Sequence, residues 1–261
     1  MTALFDLQLR AMRRDRAARL GGEPFLYQRA LGDCIERLAL IPRRFERALL
    51  IGCLDPAGAQ QLGASVGSLD VRDPSALLAE AAGGEQLTEE EWSLEPAAYD
   101  LIVALGTLDT VNALPLVLRA LCAALRPDSF LLGAMSGGDT LPRLRAALRA
   151  AETLEGAAQP HVHPRIAAAA LSPLLADAGF VRPVVDIDRV RVSYAAFRRL
   201  IGDLRDMGAT NVLSQRPRRG ISRLALAAAT AHFVEAGGGQ RTIETFELLH
   251  FAAWSPGLRE Q

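Results

Sequence analysis

The chain has 261 residues, 50% of them hydrophobic, so it can bury a sizeable core and is predicted to form one domain with appendages. A net charge of −1 argues against a protein that binds nucleic acid through its overall charge, and the basic stretch at 216–219 (Arg-Pro-Arg-Arg) is interpreted as a solvated loop. All 29 basic residues are arginine, which excludes lysine Schiff-base chemistry and the lysine of a phosphate-binding P-loop.

Cysteine usage and the amino terminus indicate the compartment. Cys34, Cys53 and Cys122 lack the paired spacing of a zinc site or a redox motif, so we interpret them as reduced core residues. The first 20 residues are rich in arginine and contain no apolar run long enough for a signal peptide or a membrane span. These features predict a cytoplasmic protein.

Residues 1–45 are predicted to form two lead-in helices, over 5–20 and 25–40. The first has a dense basic face between residues 10 and 19, which we interpret as a solvent-exposed surface. The second repeats Leu26, Ala30, Cys34 and Leu38 on one side at helical spacing, which predicts a buried stripe.

Residues 46–261 are predicted to form one α/β domain. The predicted strands cover 48–53, 65–71, 99–104 and 130–134, and the helices between them cover 59–63, 74–82 and 115–125. This alternation is typical of a mainly parallel, doubly wound, Rossmann-like sheet. After the last of these strands, the Ser-Gly-Gly turn at 136–138 predicts a sharp change of direction, and Asp139 or Thr140 is expected to cap the next helix.

The rest of the chain is predicted to finish the sheet and to cover it. Helices are expected over 141–156, 172–179, 197–208 and 221–235, and strands over 181–187, 190–192 and 243–254. The regions at about 140–170 and 194–240 are expected to form a helical cap over the carboxyl ends of the strands, where open α/β sheets bind ligands.

Two sets of motifs resemble known families. The order of elements, the strand at 99–103 (Tyr-Asp-Leu-Ile-Val) and the turn at 125–128 (Leu-Arg-Pro-Asp) resemble class I S-adenosylmethionine-dependent methyltransferases, which implies a seven-stranded sheet with helices on both faces. A second set is more specific and spans nearly the whole chain. It is similar to the family of respiratory complex I assembly factor 5, and also to BioC-like methyltransferases. Its segments are 4–6 (Leu-Phe-Asp), 13–18 (Arg-Arg-Asp-Arg-Ala-Ala), 133–141 (Gly-Ala-Met-Ser-Gly-Gly-Asp-Thr-Leu), 160–164 (Pro-His-Val-His-Pro), 203–208 (Asp-Leu-Arg-Asp-Met-Gly) and 246–254.

The second resemblance implies a role in complex I assembly. The mitochondrial member of that family is an arginine hydroxylase that acts on the iron–sulfur subunit next to the membrane arm, despite its methyltransferase fold. The implied partner is that subunit or its assembly intermediate, with peripheral membrane contact through the basic first helix and no nucleic acid. Two alternatives stay open: a BioC-like methyltransferase acting on a small acid or a protein side chain, and a non-catalytic assembly chaperone.

The cofactor turn departs from the methyltransferase pattern. That fold uses a strand-end acid and a Gly-x-Gly-x-Gly turn, because glycine lets the backbone approach the methionine part of S-adenosylmethionine. Here Leu50 stands where the acid belongs, Gly52 is retained, and Leu54 and Pro56 replace the other glycines. Since Leu50 offers no acceptor and Leu54 fills space, we expect S-adenosylmethionine to bind weakly or not at all.

Four other residues are expected at the cofactor. Asp70 is predicted to end the second strand and to hydrogen-bond the ribose hydroxyls; its alternative role is a strand-end turn residue. Thr88 and Glu89 fall at the adenine edge, and Leu105 follows the 99–104 strand.

Asp109 is a candidate general base. Methyltransferase-fold relatives place His-Trp after the 99–104 strand, and Asp109-Thr110 stands there in this chain. A lone loop carboxylate also suits a solvated or capping role.

Hydroxylation of an arginine carbon requires activated oxygen, normally through iron held by imidazole and carboxylate ligands. His161 and His163 are the candidate imidazoles, with Asp139 or Glu152 as a carboxylate. The alternative is that both imidazoles orient loops through hydrogen bonds. Acidic residues that could receive a substrate arginine are Asp139, Glu152, Asp203 and Asp206.

Overall fold

The computed structural model describes residues 3–87, 92–155 and 160–257. Within these ranges, two helices precede the first of seven strands and the other helices lie between the strands, and none of the helices is long and apolar enough to span a membrane. The helices are α1 (Leu7–Leu20), α2 (Phe25–Ala39), α3 (Pro56–Gly63), α4 (Ala76–Ala81), α5 (Leu114–Ala124), α6 (Pro142–Glu155), α7 (Ala168–Asp177), α8 (Phe197–Asp206) and α9 (Arg223–Glu235). The strands are β1 (Arg47–Ile51), β2 (Ser68–Asp73), β3 (Glu85–Gln86), β4 (Tyr99–Leu105), β5 (Leu125–Ser136), β6 (Val181–Tyr194) and β7 (Thr242–Trp254).

The described strands form one sheet in the order β3-β2-β1-β4-β5-β7-β6. The first five positions run parallel, and β7 is antiparallel to both β5 and β6. β4 is buried along its whole length because α5 and α7 cover one face of the sheet and α2 and α3 cover the other. The predicted doubly wound α/β fold class is confirmed.

Specific contacts fix both ends of α1. Asp6 caps the amino terminus, since its side-chain oxygen accepts a hydrogen bond from the N–H of Leu9 at 2.9 Å. Gly21 ends the helix at φ 62°, a left-handed conformation that glycine adopts without strain. Arg10 and Arg14 lie four residues apart on the buried face. The basic helix, whose charged face was predicted to be solvent-exposed, is therefore buried along one side.

The helices α6, α8 and α9 pack against one another through a single apolar cluster that also includes Phe246 of β7. α6 begins against β7 rather than at a local cap. The carboxylate of Glu244 accepts the N–H of Leu144 at 2.8 Å, while the Thr140 hydroxyl exchanges hydrogen bonds with the backbone of Glu247, at 2.9 Å each way. The expected cap at Asp139 or Thr140 is therefore wrong.

Three other predicted boundaries differ from the structure. β5 begins at Leu125, within the turn predicted at 125–128. The strands predicted at 181–187 and 190–192 are one strand, β6, because Asp188 between them pairs with Leu248. α7 begins at Ala168 and includes Pro173, which was expected to start it. A proline inside a helix removes one backbone hydrogen bond, and packing of α7 on α5 and β6 offsets that loss.

Candidate functional site

A cavity lies at the carboxyl ends of β1, β4 and β5, the edge where open α/β sheets bind ligands. α1 and α2 close one side of it, and α8 with residues 207–212 closes the other. Its volume is about 120 Å³, below the roughly 300–1,000 Å³ of common small-molecule sites. Its polar lining includes Arg10, Arg14, Asp109, Thr110, His163 and Arg165.

The carboxylate at the end of β2 belongs to Asp73 and not to Asp70. Asp70 pairs with Leu49 in the middle of the strand, does not line the cavity and accepts a hydrogen bond from Arg47 at 3.0 Å. The prediction that Asp70 ends the second strand is wrong, because pairing with β1 continues through Arg72. The ribose contact was expected of Asp70 because of its place at the strand end, and Asp70 does not lie there.

Groups of the chain itself surround the Asp73 carboxylate. Its two oxygens accept the N–H of Cys53 at 2.6 Å and the N–H of Ser75 at 2.7 Å. Arg14 donates from Nε at 3.0 Å and also from a terminal nitrogen. Burial alone would lower the pKa of Arg14, but the Asp73 charge and hydrogen bond raise it. Four donors occupy the roughly four lone-pair sites of a carboxylate, which leaves no acceptor for a ribose hydroxyl.

The turn after β1 requires glycine at Gly52 because a side chain there would overlap the protein's own backbone, without any ligand. Gly52 has φ 86°, and a Cβ there would lie 2.0 Å from the carbonyl oxygen of Leu105. The Gly52 carbonyl accepts a hydrogen bond from the Tyr27 hydroxyl at 2.8 Å. Leu54 and Leu105 line the cavity, and Leu50 is fully buried in the apolar cluster beneath α2 and α3. The remaining predicted cofactor positions, Thr88 and Glu89, lie outside the described residues.

Asp109 is buried in an ion pair, not solvated. Its Oδ2 lies 2.6 Å from a terminal nitrogen of Arg165, and both side chains are less than a tenth exposed, at 9% and 8%. Burial would raise the pKa of Asp109, but the charge of Arg165 outweighs it and lowers the pKa. The carboxylate is thus ionised at the cavity wall.

His163 is buried next to this pair. Its Nε2 accepts the N–H of Val212 at 2.8 Å. Burial, and next the charge of Arg165 3.1 Å from Nδ1, lower the pKa of His163 to about 3. The ring is neutral at physiological pH and holds the 163–165 segment against residue 212, which agrees with the loop-orienting alternative.

The predicted iron ligands do not come together. His161 lies 3.8 Å from Glu152, while Nε2 of His163 is taken by a backbone N–H. Asp139 is on the surface, with its side chain 76% exposed and 3.5 Å from Arg189. Across 3–87, 92–155 and 160–257, no three His, Cys, Asp or Glu side chains are grouped to hold a metal. The described residues therefore do not fit an iron centre.

The acidic recess expected for a substrate arginine is also not built from the expected residues. Asp203 accepts the Tyr194 hydroxyl at 2.7 Å, and Glu152 faces His161. None of the four expected acids lines the cavity, where arginines are the most frequent charged residues.

Sequence reasoning missed Arg10, Arg14, Asp73 and Arg165. Arg10 and Arg14 are spaced like Leu residues of an apolar stripe, and the next position of that stripe, Ala17, is buried as well. Arginines also lie on the exposed side of α1, at Arg16 and Arg19, so this spacing alone did not indicate which face is buried.

Comparison with known proteins gives the family. A family described as a methyltransferase domain matches residues 26–182. The chain is 30% identical over 270 residues to the mitochondrial arginine-hydroxylase NDUFAF5 of Danio rerio, covering 97% of this chain and 83% of that protein. The chain belongs to the NDUFAF5 family of methyltransferase-domain proteins. It is also 31% identical to the malonyl-[acyl-carrier protein] O-methyltransferase of Xylella fastidiosa, over 61% of this chain and 53% of that one.

Solved structures share the fold of this NDUFAF5 relative at low identity. YcgJ of Bacillus subtilis superposes with a TM-score of 0.58 at 12% identity, covering 87% of this chain and 97% of that one. A phosphoethanolamine N-methyltransferase of Haemonchus contortus in complex with S-adenosylhomocysteine gives a TM-score of 0.51 at 14% identity, covering 85% and 52%. The chain therefore has a fold that holds S-adenosylmethionine or its product in other proteins.

The cavity of this NDUFAF5-family chain does not fit that cofactor as it stands. Arg14 and two backbone N–H groups occupy the oxygens of Asp73, and Leu54 lies in the cavity at a position of the expected glycine turn. We therefore assign no reaction step to S-adenosylmethionine.

Proposed function

We propose that this protein acts in the assembly of respiratory complex I and that it hydroxylates an arginine of the iron–sulfur subunit. The observation that carries the proposal is the 30% identity to an arginine-hydroxylase over 97% of the chain. The saturated Asp73 carboxylate supports it, because methyl transfer needs bound S-adenosylmethionine and the oxygens of this strand-end carboxylate are already taken by Arg14 and two backbone N–H groups.

Hydroxylation inserts an oxygen atom into a carbon–hydrogen bond, so dioxygen and a reductant must come from outside the chain. Iron is the usual activator of oxygen, but the described residues offer no assembled ligand set and we route no step through it. We base the genetic test on Asp109, because it lines the cavity and its carboxylate is ionised in the pair with Arg165.

The partner we propose is the iron–sulfur subunit or the assembly intermediate that carries it, and the compartment is the cytoplasm, whereas the relatives are named as mitochondrial. The outer face of α1 suits peripheral contact with the membrane that holds such an intermediate. Arg16 and Arg19 are exposed there beside Met12 and Leu20, which are 58% and 54% exposed.

The test is complementation of a deletion strain of the host organism. Deletion should lower the NADH–quinone reductase activity of its membranes and remove the added oxygen from the target arginine, read by mass spectrometry. Wild type and Asp139→Asn, an exposed control, should restore both. Asp109→Asn should restore neither.

Normal complex I activity and an unmodified arginine in both strains would overturn the proposal. Loss of complex I on deletion, restored equally by wild type and by Asp109→Asn with the arginine unmodified in every strain, would instead identify the chain as a non-catalytic assembly chaperone.

A second candidate is an O-methyltransferase, which the 31% identity to the Xylella fastidiosa enzyme favours. Calorimetric titration with S-adenosylmethionine separates the two functions. Micromolar binding to the wild type would favour methyl transfer, and the absence of heat at millimolar ligand would favour the hydroxylase.

A further inference from the structure

A basic depression lies on the surface, where the end of β6 and the start of β7 meet α6 and the segment after α9. Three exposed arginines line it: Arg143 from α6, Arg191 from β6 and Arg241 just before β7. Of the residues that the structure describes, no aspartate or glutamate lines this depression. Its volume is about 390 Å³, within the roughly 300–1,000 Å³ of common binding sites. We call this depression and its three arginines the basic face.

The strand register explains why these side chains share a surface. The part of β7 before Leu248 has β6 as its strand neighbour, with Arg191 opposite Thr245 and Ser193 opposite Ile243. Opposite residues of an antiparallel pair point to the same face of the sheet, and so do alternate residues of one strand. These four side chains therefore lie on one face of a two-stranded ribbon.

Two of the arginines keep their charge uncompensated. Arg241 donates from Nε to the Ser193 hydroxyl at 2.9 Å and from a terminal nitrogen to the Ser193 carbonyl at 2.5 Å, and both acceptors are neutral. Arg189, on the same face as Arg191, is paired with Glu247 at 3.1 Å. Within the described residues, no carboxylate is paired in this way with Arg191 or Arg241.

Two negative features near the basic face do not outweigh its arginines. Arg143 acts on the charge of Glu244, but that carboxylate is fully buried and accepts the N–H groups of Arg143 and Leu144 at 3.2 and 2.8 Å. The carboxyl end of α9 carries about half a negative charge, and the segment after α9 already donates N–H groups to its last carbonyls. Even with Glu244 set fully against Arg143, the face is positive, which favours an anionic ligand.

The basic face also has an apolar part. Ile243 lines the depression and is 44% exposed, and Pro142 is exposed there as well. A phosphate ion would leave Ile243 in water, and a flat bilayer surface would not enter a depression. Arginine together with apolar side chains is typical of the buried centre of protein–protein interfaces. A segment of protein chain therefore fits this surface best.

We propose that the basic face is a docking surface for an acidic segment of a partner protein, with carboxylates at Arg143, Arg191 and Arg241 and an apolar side chain against Ile243. The inference goes beyond the proposed function, because the basic face shares no lining residue with the cavity at the strand ends.

The test is fluorescence anisotropy of the purified protein with the labelled peptide Glu-Glu-Leu-Glu-Glu at neutral pH and low salt. This peptide should bind, and Gln-Gln-Leu-Gln-Gln should not. Arg191→Glu should keep the wild-type melting temperature, since Arg191 is exposed, and should weaken binding by about tenfold or more, because repulsion replaces attraction. Arg119→Glu, the same change at an exposed position of α5, should bind the peptide as the wild type does.

The apolar part has its own matched comparison. The wild type should bind Glu-Glu-Leu-Glu-Glu about threefold or more tightly than Glu-Glu-Ser-Glu-Glu, because the leucine covers Ile243. Ile243→Ser should bind the two peptides equally. Equal binding of both peptides by the wild type would overturn the proposal in favour of a site for anions alone.

Three other results would also overturn it. They are no binding of the acidic peptide by the wild type, equal weakening by Arg191→Glu and Arg119→Glu, and binding of inorganic phosphate or of phosphatidylglycerol-containing vesicles without binding of the peptide. The outcome is separate from the proposed function, because it is read on the purified protein. Complex I assembly can fail in the deletion test while the peptide still binds, and the reverse also holds.

Discussion

Two buried ion pairs with the same chemistry lie at the same edge of the sheet, and they differ in what surrounds the carboxylate. Asp73 is the last residue of β2 and binds Arg14 of α1, whereas Asp109 follows β4 and binds Arg165. In both pairs, a carboxylate at or after a strand end contacts an arginine from an element outside the strands. The two pairs therefore differ mainly in the groups that surround the carboxylate.

The environment of Asp73 is closed. Two backbone N–H groups and Arg14 occupy its oxygens, and the side chain is fully buried. Asp109 instead lines the cavity, together with the neutral imidazole of His163 and the guanidinium of Arg10. A saturated pair fastens α1 to the sheet, while a pair at a cavity wall can respond to a ligand.

The largest loss of stability should come from breaking the Asp73–Arg14 ion pair. Asp73→Ala leaves the Arg14 guanidinium buried without its carboxylate and frees two backbone N–H groups, so we expect a loss of about 3–5 kcal/mol in the free energy of unfolding. Urea denaturation measures it. Asp70→Ala, which removes a half-exposed partner of Arg47 in the same strand, should cost far less. Equal losses would show that burial of the carboxylate does not distinguish the two positions.

The next largest loss of stability should come from the turn after β1, which carries Gly52 and lies beside the Asp73–Arg14 pair. Gly52→Ala places a Cβ 2.0 Å from the Leu105 carbonyl oxygen at φ 86°, so strain and overlap should cost about 2–4 kcal/mol. Gly106→Ala is the control, because Gly106 also has positive φ but has no atom within 4 Å of the added carbon. Its cost should be the smaller of the two in urea denaturation. Similar values would mean that backbone conformation alone explains the retained glycine.

The fold was predictable because the central strands are continuous apolar runs. The runs at 48–53, 99–104 and 130–134 are buried on both faces, and composition alone indicates such strands. β3 has two exposed polar residues and β2 ends in polar ones, so neither the existence of β3 nor the end of β2 followed from hydrophobicity. That error moved the expected strand-end carboxylate from Asp73 to Asp70.

The candidate site was predictable only in part. Asp109 and His163 lie side by side at the cavity, and both were candidates from the loop positions they occupy. The arginines that determine their charge states were not, because a basic helix is usually solvated and its burial depends on packing between distant segments. Arg14 and Asp73 are 59 residues apart, and no local pattern records that contact.

The pair at the cavity wall should show a smaller loss of stability and a larger loss of function. Asp109→Asn keeps an acceptor for Arg165 but removes the charge, so we expect a loss of about 1–3 kcal/mol in urea denaturation. Asp139→Asn, at an exposed position, should leave stability unchanged within error. A loss as large as that of Asp73→Ala would place both pairs in the same structural role and remove the distinction drawn between them.

The smallest effect should be a change in acid sensitivity at His163. Its pKa is about 3 in the folded protein, against roughly 6.5 for an unperturbed histidine, so between these values the unfolded chain binds a proton that the folded protein does not. Stability from this group is fully present above about pH 6.5 and is lost as the pH falls towards 3. His163→Gln can keep an acceptor for Val212 without a titrating group, so its unfolding free energy should fall less between neutral pH and pH of about 4.5. An equal fall in both proteins would assign the acid response to another group, such as His250, whose pKa burial also lowers.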